Sequence, residues 1–202
     1  MSLAALVKVK SSFKLKILVV GSANSGKTSF CSKYSDSFSQ RFRETIGVDI
    51  FVKEELLPDG KFATLSCWNC ASQKRFNSSQ SLFFRGALGA FVLFSVNNLE
   101  SYEVAKRYIE DIRKRVNSIP ILLIGNKIDL ESERRVNYYE VKEYANKLKL
   151  AGYIETSTKD DINISKAYAV LSEIIYIYLR SGIKEFDVDI LDPNIRNKID
   201  DL

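Results

Sequence analysis

The sequence has no histidine and only three cysteines, Cys31, Cys67 and Cys70. The pair in Cys67-Trp68-Asn69-Cys70 therefore lacks the second cysteine pair or imidazoles that a tetrahedral zinc site needs, and three thiols make no paired disulfide framework. They read as ordinary core or loop cysteines, with a redox pair as the alternative. Also missing is any run of ~18 to 20 apolar residues, the length that spans a bilayer. Lys8, Lys10, Lys14 and Lys16 break up the apolar residues of the N-terminus, so no signal peptide is expected and the protein reads as cytoplasmic. The net charge of +5 comes from scattered residues without a dense basic run, and no nucleic-acid partner is expected. One local bias stands out: after Ser181 the chain turns acidic, with Glu185, Asp187, Asp189, Asp192, Asp200 and Asp201 against Lys184, Arg196 and Lys198.

What the sequence does have is 202 residues that are 46% hydrophobic and 27% charged, a fit to one folded domain. Short apolar runs bounded by turn residues alternate with helical periodicities, which predicts an α/β fold: a mostly parallel six-stranded sheet with helices on both faces. Phe13 to Val20, Gly89 to Val96 and Pro120 to Ile124 read as buried strands. Ile46 to Leu57 and Lys61 to Trp68 flank Pro58-Asp59-Gly60, the signature of an antiparallel hairpin at the sheet edge. Helices are predicted near Ser101 to Val116, Tyr138 to Leu148 and Asn163 to Ser181. The last carries an apolar stripe at Ile164, Ala167, Tyr168, Leu171, Ile174, Ile175 and Tyr178. Residues 1–12 read as an extension, 13–181 as the domain and 182–202 as a tail. The tail alternates Phe186, Val188, Ile190 and Leu191 with aspartates; a solvated terminus is expected, with docking as the alternative.

Gly21-Ser22-Ala23-Asn24-Ser25-Gly26-Lys27-Thr28 satisfies G-x-x-x-x-G-K-[ST] between a strand and a helix, the pattern of a P-loop NTPase. In such a loop the glycines let successive N–H groups point at phosphate oxygens, helped by the positive end of the following helix. Lys27 would meet the β- and γ-phosphates, and the hydroxyl of Thr28 would serve Mg²⁺, a hard cation that prefers oxygen. Ser29 completes the phosphate-binding set.

A phosphate loop alone leaves ATPases, nucleotide kinases and GTPases open. Asn126-Lys127-Ile128-Asp129 follows a predicted central strand, and with it the chain resembles the Ras-like small GTPases, whose N-K-x-D motif recognises guanine. The resemblance runs from about residue 14 to 180. It is closest to the Rab branch through Glu44-Thr45-Ile46-Gly47-Val48-Asp49 and Ser101-Tyr102-Glu103-Val104-Ala105-Lys106-Arg107-Tyr108. It implies GTP and GDP as ligands, with Asp129 accepting from the guanine N1–H and amine, Asn126 tying the loops together and Lys127 packing along the base. Adenine would leave such a carboxylate facing an acceptor. Glu155-Thr156-Ser157-Thr158-Lys159 is similar to the family's E-T-S-A-K segment, so Ser157, Thr158 and Lys159 join the base site. Thr158 stands in place of alanine, and its β-branched bulk is expected to speed nucleotide exchange. Phe38 falls where an aromatic residue packs on guanine, and Thr45 where a threonine binds Mg²⁺ and senses the γ-phosphate.

The departures concern the second switch. Where the family reads D-T-A-G-Q, this chain reads Asn69-Cys70-Ala71-Ser72-Gln73. Asn69 can accept a hydrogen bond from a Mg²⁺-bound water but brings no charge, and weaker Mg²⁺ binding by more than about tenfold is expected. Ser72 replaces a glycine that contacts the γ-phosphate, and Ala23 adds a methyl in the phosphate loop. Gln73 keeps the position that orients the attacking water. The expectation is slow GTP hydrolysis carried by Gln73, Lys27 and Thr45; the alternative is a pseudo-GTPase that binds nucleotide as an interaction module. By the resemblance, effector and regulatory proteins would engage the switch regions of a monomer. No cysteine follows Cys70 and residue 2 is Ser2, so neither a prenyl nor a myristoyl anchor is expected, and membrane contact would be indirect.

Overall fold

A computed structural model describes residues 13–35, 37–39, 48–70, 83–116, 118–182 and 185–192. Its strands are β1 (Phe13–Gly21), β2 (Ser37–Ser39), β3 (Val48–Leu56), β4 (Phe62–Cys70), β5 (Gly89–Ser95), β6 (Ile121–Asn126) and β7 (Gly152–Thr156). They form one sheet in the order β2-β3-β4-β1-β5-β6-β7. This is the expected mostly parallel sheet, with the three-residue β2 added at the antiparallel edge; β1, β4, β5, β6 and β7 run parallel. The hairpin forms as expected: Leu57 N–H donates to Lys61 O at 2.8 Å and Gly60 N–H to Leu57 O at 2.9 Å. Counting back from that turn fixes the β3–β4 register and sets Asp49 directly opposite Asn69.

Among the described residues four helices cover the sheet: α1 (Lys27–Tyr34), α2 (Leu99–Arg115), α3 (Tyr138–Lys147) and α4 (Ile164–Ser181). The period-two alternation of β1 shows how both faces are buried, since Leu18 and Val20 join one apolar cluster while Leu15, Ile17 and Val19 join another. The first cluster holds the inner faces of α2 and α3, the second those of α1 and α4. Sequence sets the helix ends. The side chain of Asn98 accepts from Ser101 N–H at 2.9 Å, and Asn137 caps α3 by accepting from Tyr139 and Glu140 N–H. Gly182, at φ 69°, stops α4 in the left-handed conformation. Tyr168 on α4, fully buried, stacks on Phe30 at 5.0 Å and on Tyr34 at 4.1 Å, which clamps α1 and the loop before it against the sheet. Among the described residues no helix is long and apolar enough to cross a membrane.

The segment 185–192 overturns the expectation of a solvated tail. Phe186 and Leu191 are buried against Val170, Ile174 and Tyr178 of α4 and Ala151 before β7. Phe186 N–H donates to Ser118 O at 3.0 Å, and the Ser118 hydroxyl donates back to Phe186 O at 2.7 Å. Lys149 bridges Asp187 and Asp189 at 3.1 and 2.7 Å. Alternation alone did not reveal the docking, because the receiving groove is built from segments distant in sequence. Residues 1–12 and 193–202 lie outside the described residues. The three cysteines are buried, free thiols, and burial pushes Cys67 and Cys70 up to about 12. Thiols held neutral in this way fit the core reading over the redox one.

Candidate nucleotide site

The loop between β1 and α1 needs its glycines for space as well as for conformation. A Cβ on Gly21, at φ 148°, would sit 2.1 Å from Leu93 O, and one on Gly26, at φ 93°, would sit 2.1 Å from Asn126 Nδ2. Asn24 also takes the left-handed conformation, at φ 61°. The curl brings Lys27 back over the loop, where its Nζ donates to Ser22 O at 2.6 Å and Gly21 O at 3.0 Å. Lys27 is 8% exposed, and burial lowers its pKa to about 8. Thr28 and Ser29 at the start of α1 are exposed. A cationic amine in a concave loop at a helix N-terminus suits a polyphosphate.

The second half of the site rises from the ends of β6 and β7. Asn126 is fully buried. Its Nδ2 donates to Ser25 O at 2.9 Å, while its Oδ1 accepts from the Thr156 hydroxyl at 3.1 Å and from Thr158 N–H at 3.3 Å. One side chain thus joins the phosphate loop to both base-side loops. Lys127 is held at φ 70°, and Asp129 lies on the 3₁₀ turn Ile128–Glu133 that follows. The Ser157 hydroxyl donates to the Asp129 carboxylate at 2.8 Å and itself accepts Asp160 N–H at 3.0 Å. Asn24, Gly26, Lys27 and Thr28 line a single cleft with Lys127 and Thr158.

Sequence reasoning missed the brace behind this half. Arg134 places its two terminal nitrogens on the two Glu155 carboxylate oxygens at 2.8 Å each, and reaches Glu131 at 2.6 and 2.7 Å. Tyr153 adds its hydroxyl to Glu155 at 2.6 Å. This planar fork ties the turn carrying Asp129 to the strand that leads into Ser157 and Thr158. An arginine five residues beyond Asp129 was the available signal.

On the opposite side of Lys27, Asn69 at the end of β4 points to the phosphate loop: its Nδ2 donates to Thr28 Oγ1 at 3.0 Å. The same nitrogen lies 3.4 Å from Asp49 Oδ2, a residue sequence reasoning did not single out. Asn69 is 5% exposed, and its Oδ1 is a buried acceptor without a hydrogen-bond partner among the described residues. A buried acceptor left bare costs about 1–3 kcal/mol, so this oxygen calls for a donor that is not among the described residues. A hydroxyl and an amide oxygen beside a polyphosphate loop are the hard ligands that Mg²⁺ and its waters accept, so the residues fit that ion. Thr45, Ser72 and Gln73 lie outside the described residues, as does the side chain of Phe38, whose backbone forms the middle of β2. Lys159 lies in the turn after Thr158, exposed to solvent.

A phosphate loop at the head of the sheet, with an Asn126–Asp129 loop braced beside it, defines a class of protein. A model of the Ras family matches residues 16–177, and the chain belongs to that family of small GTPases, near its Rab branch. It is 35% identical over 167 residues to Ras-related protein Rab7 of Vigna aconitifolia, covering 79% of this chain and 81% of that protein. Ras-related protein Rab-7L1 of Rattus norvegicus is 35% identical over 164 residues, 78% of this chain and 80% of that one. Ras-related protein Rab-12 of Homo sapiens is 30% identical over 189 residues, 93% and 74%.

Proposed function

We propose that this chain is a guanine-nucleotide switch that binds GTP and GDP and hydrolyses GTP slowly in the presence of Mg²⁺. The observation that carries the proposal is the Asn126 side chain, which hydrogen-bonds the phosphate loop and the Thr156–Thr158 segment at once, so that phosphate and base elements face one cleft. Asp129, aimed by Ser157, offers the paired acceptor that guanine's N1–H and amine require and adenine lacks. Lys27 leaves the loop carbonyls for the β- and γ-phosphates, and the loop N–H groups hold the phosphate oxygens as charge moves onto them. Bound Mg²⁺ would neutralise part of the phosphate charge, with Thr28, Thr45 and Asn69 as its protein-side contacts. Gln73 orients the attacking water and Thr45 closes the first switch over the γ-phosphate. Slowness follows from Ser72 and Ala23, which stiffen and crowd the loops that must move around the reacting phosphate.

Phe38, Ser72 and Lys159 complete the nucleotide contacts, and the two switch segments meet effector and regulatory proteins. The test is single-turnover hydrolysis of γ-labelled GTP across a Mg²⁺ titration, with analysis of bound nucleotide in the same preparation. Mg²⁺-dependent phosphate release that disappears in Gln73→Leu is the expected result. Bound guanine nucleotide without release would leave a non-hydrolysing interaction module, and absence of guanine nucleotide would overturn both.

A further inference from the structure

The replacement of an acidic residue by Asn69 looks in the sequence like a lost charge at the cation site. The structure assigns that charge to a different residue. We infer that Asp49, through the Asn69 side chain, supplies the negative charge that retains the divalent cation beside Thr28. This inference rests on the proposed nucleotide site and concerns the cation's hold on it.

Three observations carry it. First, the hairpin register puts Asp49 directly opposite Asn69 on neighbouring antiparallel strands, where side chains on one face stand about 5 Å apart at Cβ. Both are buried, Asp49 at 6% and Asn69 at 5% exposure. Second, the Asn69 amide has its nitrogen between two oxygens, Thr28 Oγ1 at 3.0 Å and Asp49 Oδ2 at 3.4 Å. The reverse orientation would press the amide oxygen against the carboxylate, so Asp49 sets which way the amide faces. Third, that orientation leaves Asn69 Oδ1 buried and without a hydrogen-bond partner among the described residues, ready for a donor such as a cation's hydration water. A carboxylate accepting from Nδ2 pushes electron density toward Oδ1 and strengthens it as an acceptor.

Asp49 is thus a positioning residue: it orients Asn69 and supplies charge from one strand further away.

The experiment measures release of a fluorescent GDP analogue as a function of Mg²⁺, which reads cation binding without any hydrolysis. Asp49→Asn removes the charge at nearly constant shape. It is expected to move the Mg²⁺ concentration for half-maximal retention up by about tenfold or more, while the wild-type protein retains the analogue at lower Mg²⁺. The swap Asp49→Asn/Asn69→Asp returns one carboxylate to the pair and is expected to bring the midpoint back to within about threefold of wild type. A single variant that superimposes on wild type overturns the inference, as does a swap that stays as weak as the single variant. Should Asp49→Asn fail to fold, recovery of Mg²⁺-dependent retention in the swap supports the inference and its absence overturns it. Guanine-nucleotide content of the wild-type protein is measured first; a protein that binds none refutes the proposed function, a failure distinct from any result with the variants.

Discussion

The two halves of the nucleotide cleft are built differently. On the base side every principal group is held by another: Asn126 by three hydrogen bonds, Asp129 by Ser157, and the supporting strand by the fork of Arg134 on Glu155. On the proposed phosphate and cation side Lys27 rests on main-chain carbonyls, and Asn69 keeps an oxygen without a hydrogen-bond partner among the described residues. Among the described residues the base side is fully cross-tied, whereas the other side holds an amine and an amide oxygen that a ligand could still engage. On the proposed function, recognition of the base would cost little reorganisation, while binding of phosphate and cation would rearrange hydrogen bonds and protons.

The comparison is broken most severely by Asn126→Ala. It strips Ser25 O, the Thr156 hydroxyl and Thr158 N–H of a buried partner, and a stability loss of about 2–4 kcal/mol is expected in denaturant titration, together with loss of bound nucleotide. A loss below about 1 kcal/mol would mean that the base side is not the rigid half.

The phosphate side should show its openness in pH. Burial holds Lys27 at about 8 in the nucleotide-free protein, and a bound phosphate favours its charged form, raising the pKa. Below pH 8, down to about pH 7 where the terminal phosphate itself begins to take up a proton, the lysine proton is already present and GDP affinity is flat. Above pH 8, binding must take up a proton, so affinity falls by up to about tenfold per pH unit until the bound-state pKa is reached. Guanosine, which has no phosphate, should lack that slope; titration calorimetry in two buffers of different ionisation enthalpy measures the proton uptake directly.

The smallest effect is expected at Thr158. Its N–H is shared with Asn126 Oδ1 at 3.3 Å, and its side chain borders the cleft. Thr158→Ala should slow release of the fluorescent GDP analogue by about threefold. An unchanged rate would assign the threonine no part in exchange.

Much of this was readable in the sequence because local chemistry dictates it. The phosphate loop, the hairpin turn at Pro58-Asp59-Gly60 and the long helices appear where turn residues and 3.6-residue periodicity place them, within one or two residues at the ends of α2 and α4. Contacts that depend on tertiary geometry were not readable. Strand β2 is three residues, Ser37–Ser39, with too little apolar pattern to announce itself; pairing with β3 defines it. Glu155 appeared as part of a motif, yet its role as anchor for Arg134 required the two segments to meet. Asp49 stands in the Rab-like segment of the sequence, but its place opposite Asn69 follows only from carrying the register back from the hairpin turn through the whole ladder. The acidic segment after Ser181 looked solvated because its groove is made by Ser118, Ala151 and Tyr178, which are far apart in sequence.

That docked segment also sets how the domain would hang from an attachment. Ser118 and Ala151 precede β6 and β7, whereas the nucleotide cleft stands at the far ends of the same strands, so residues 185–192 lie at the opposite end of the sheet. A pull beyond residue 192 would be met first by Leu191 and Phe186, packed on α4 and Ala151. A protein tethered there would present its nucleotide face outward, away from whatever holds it.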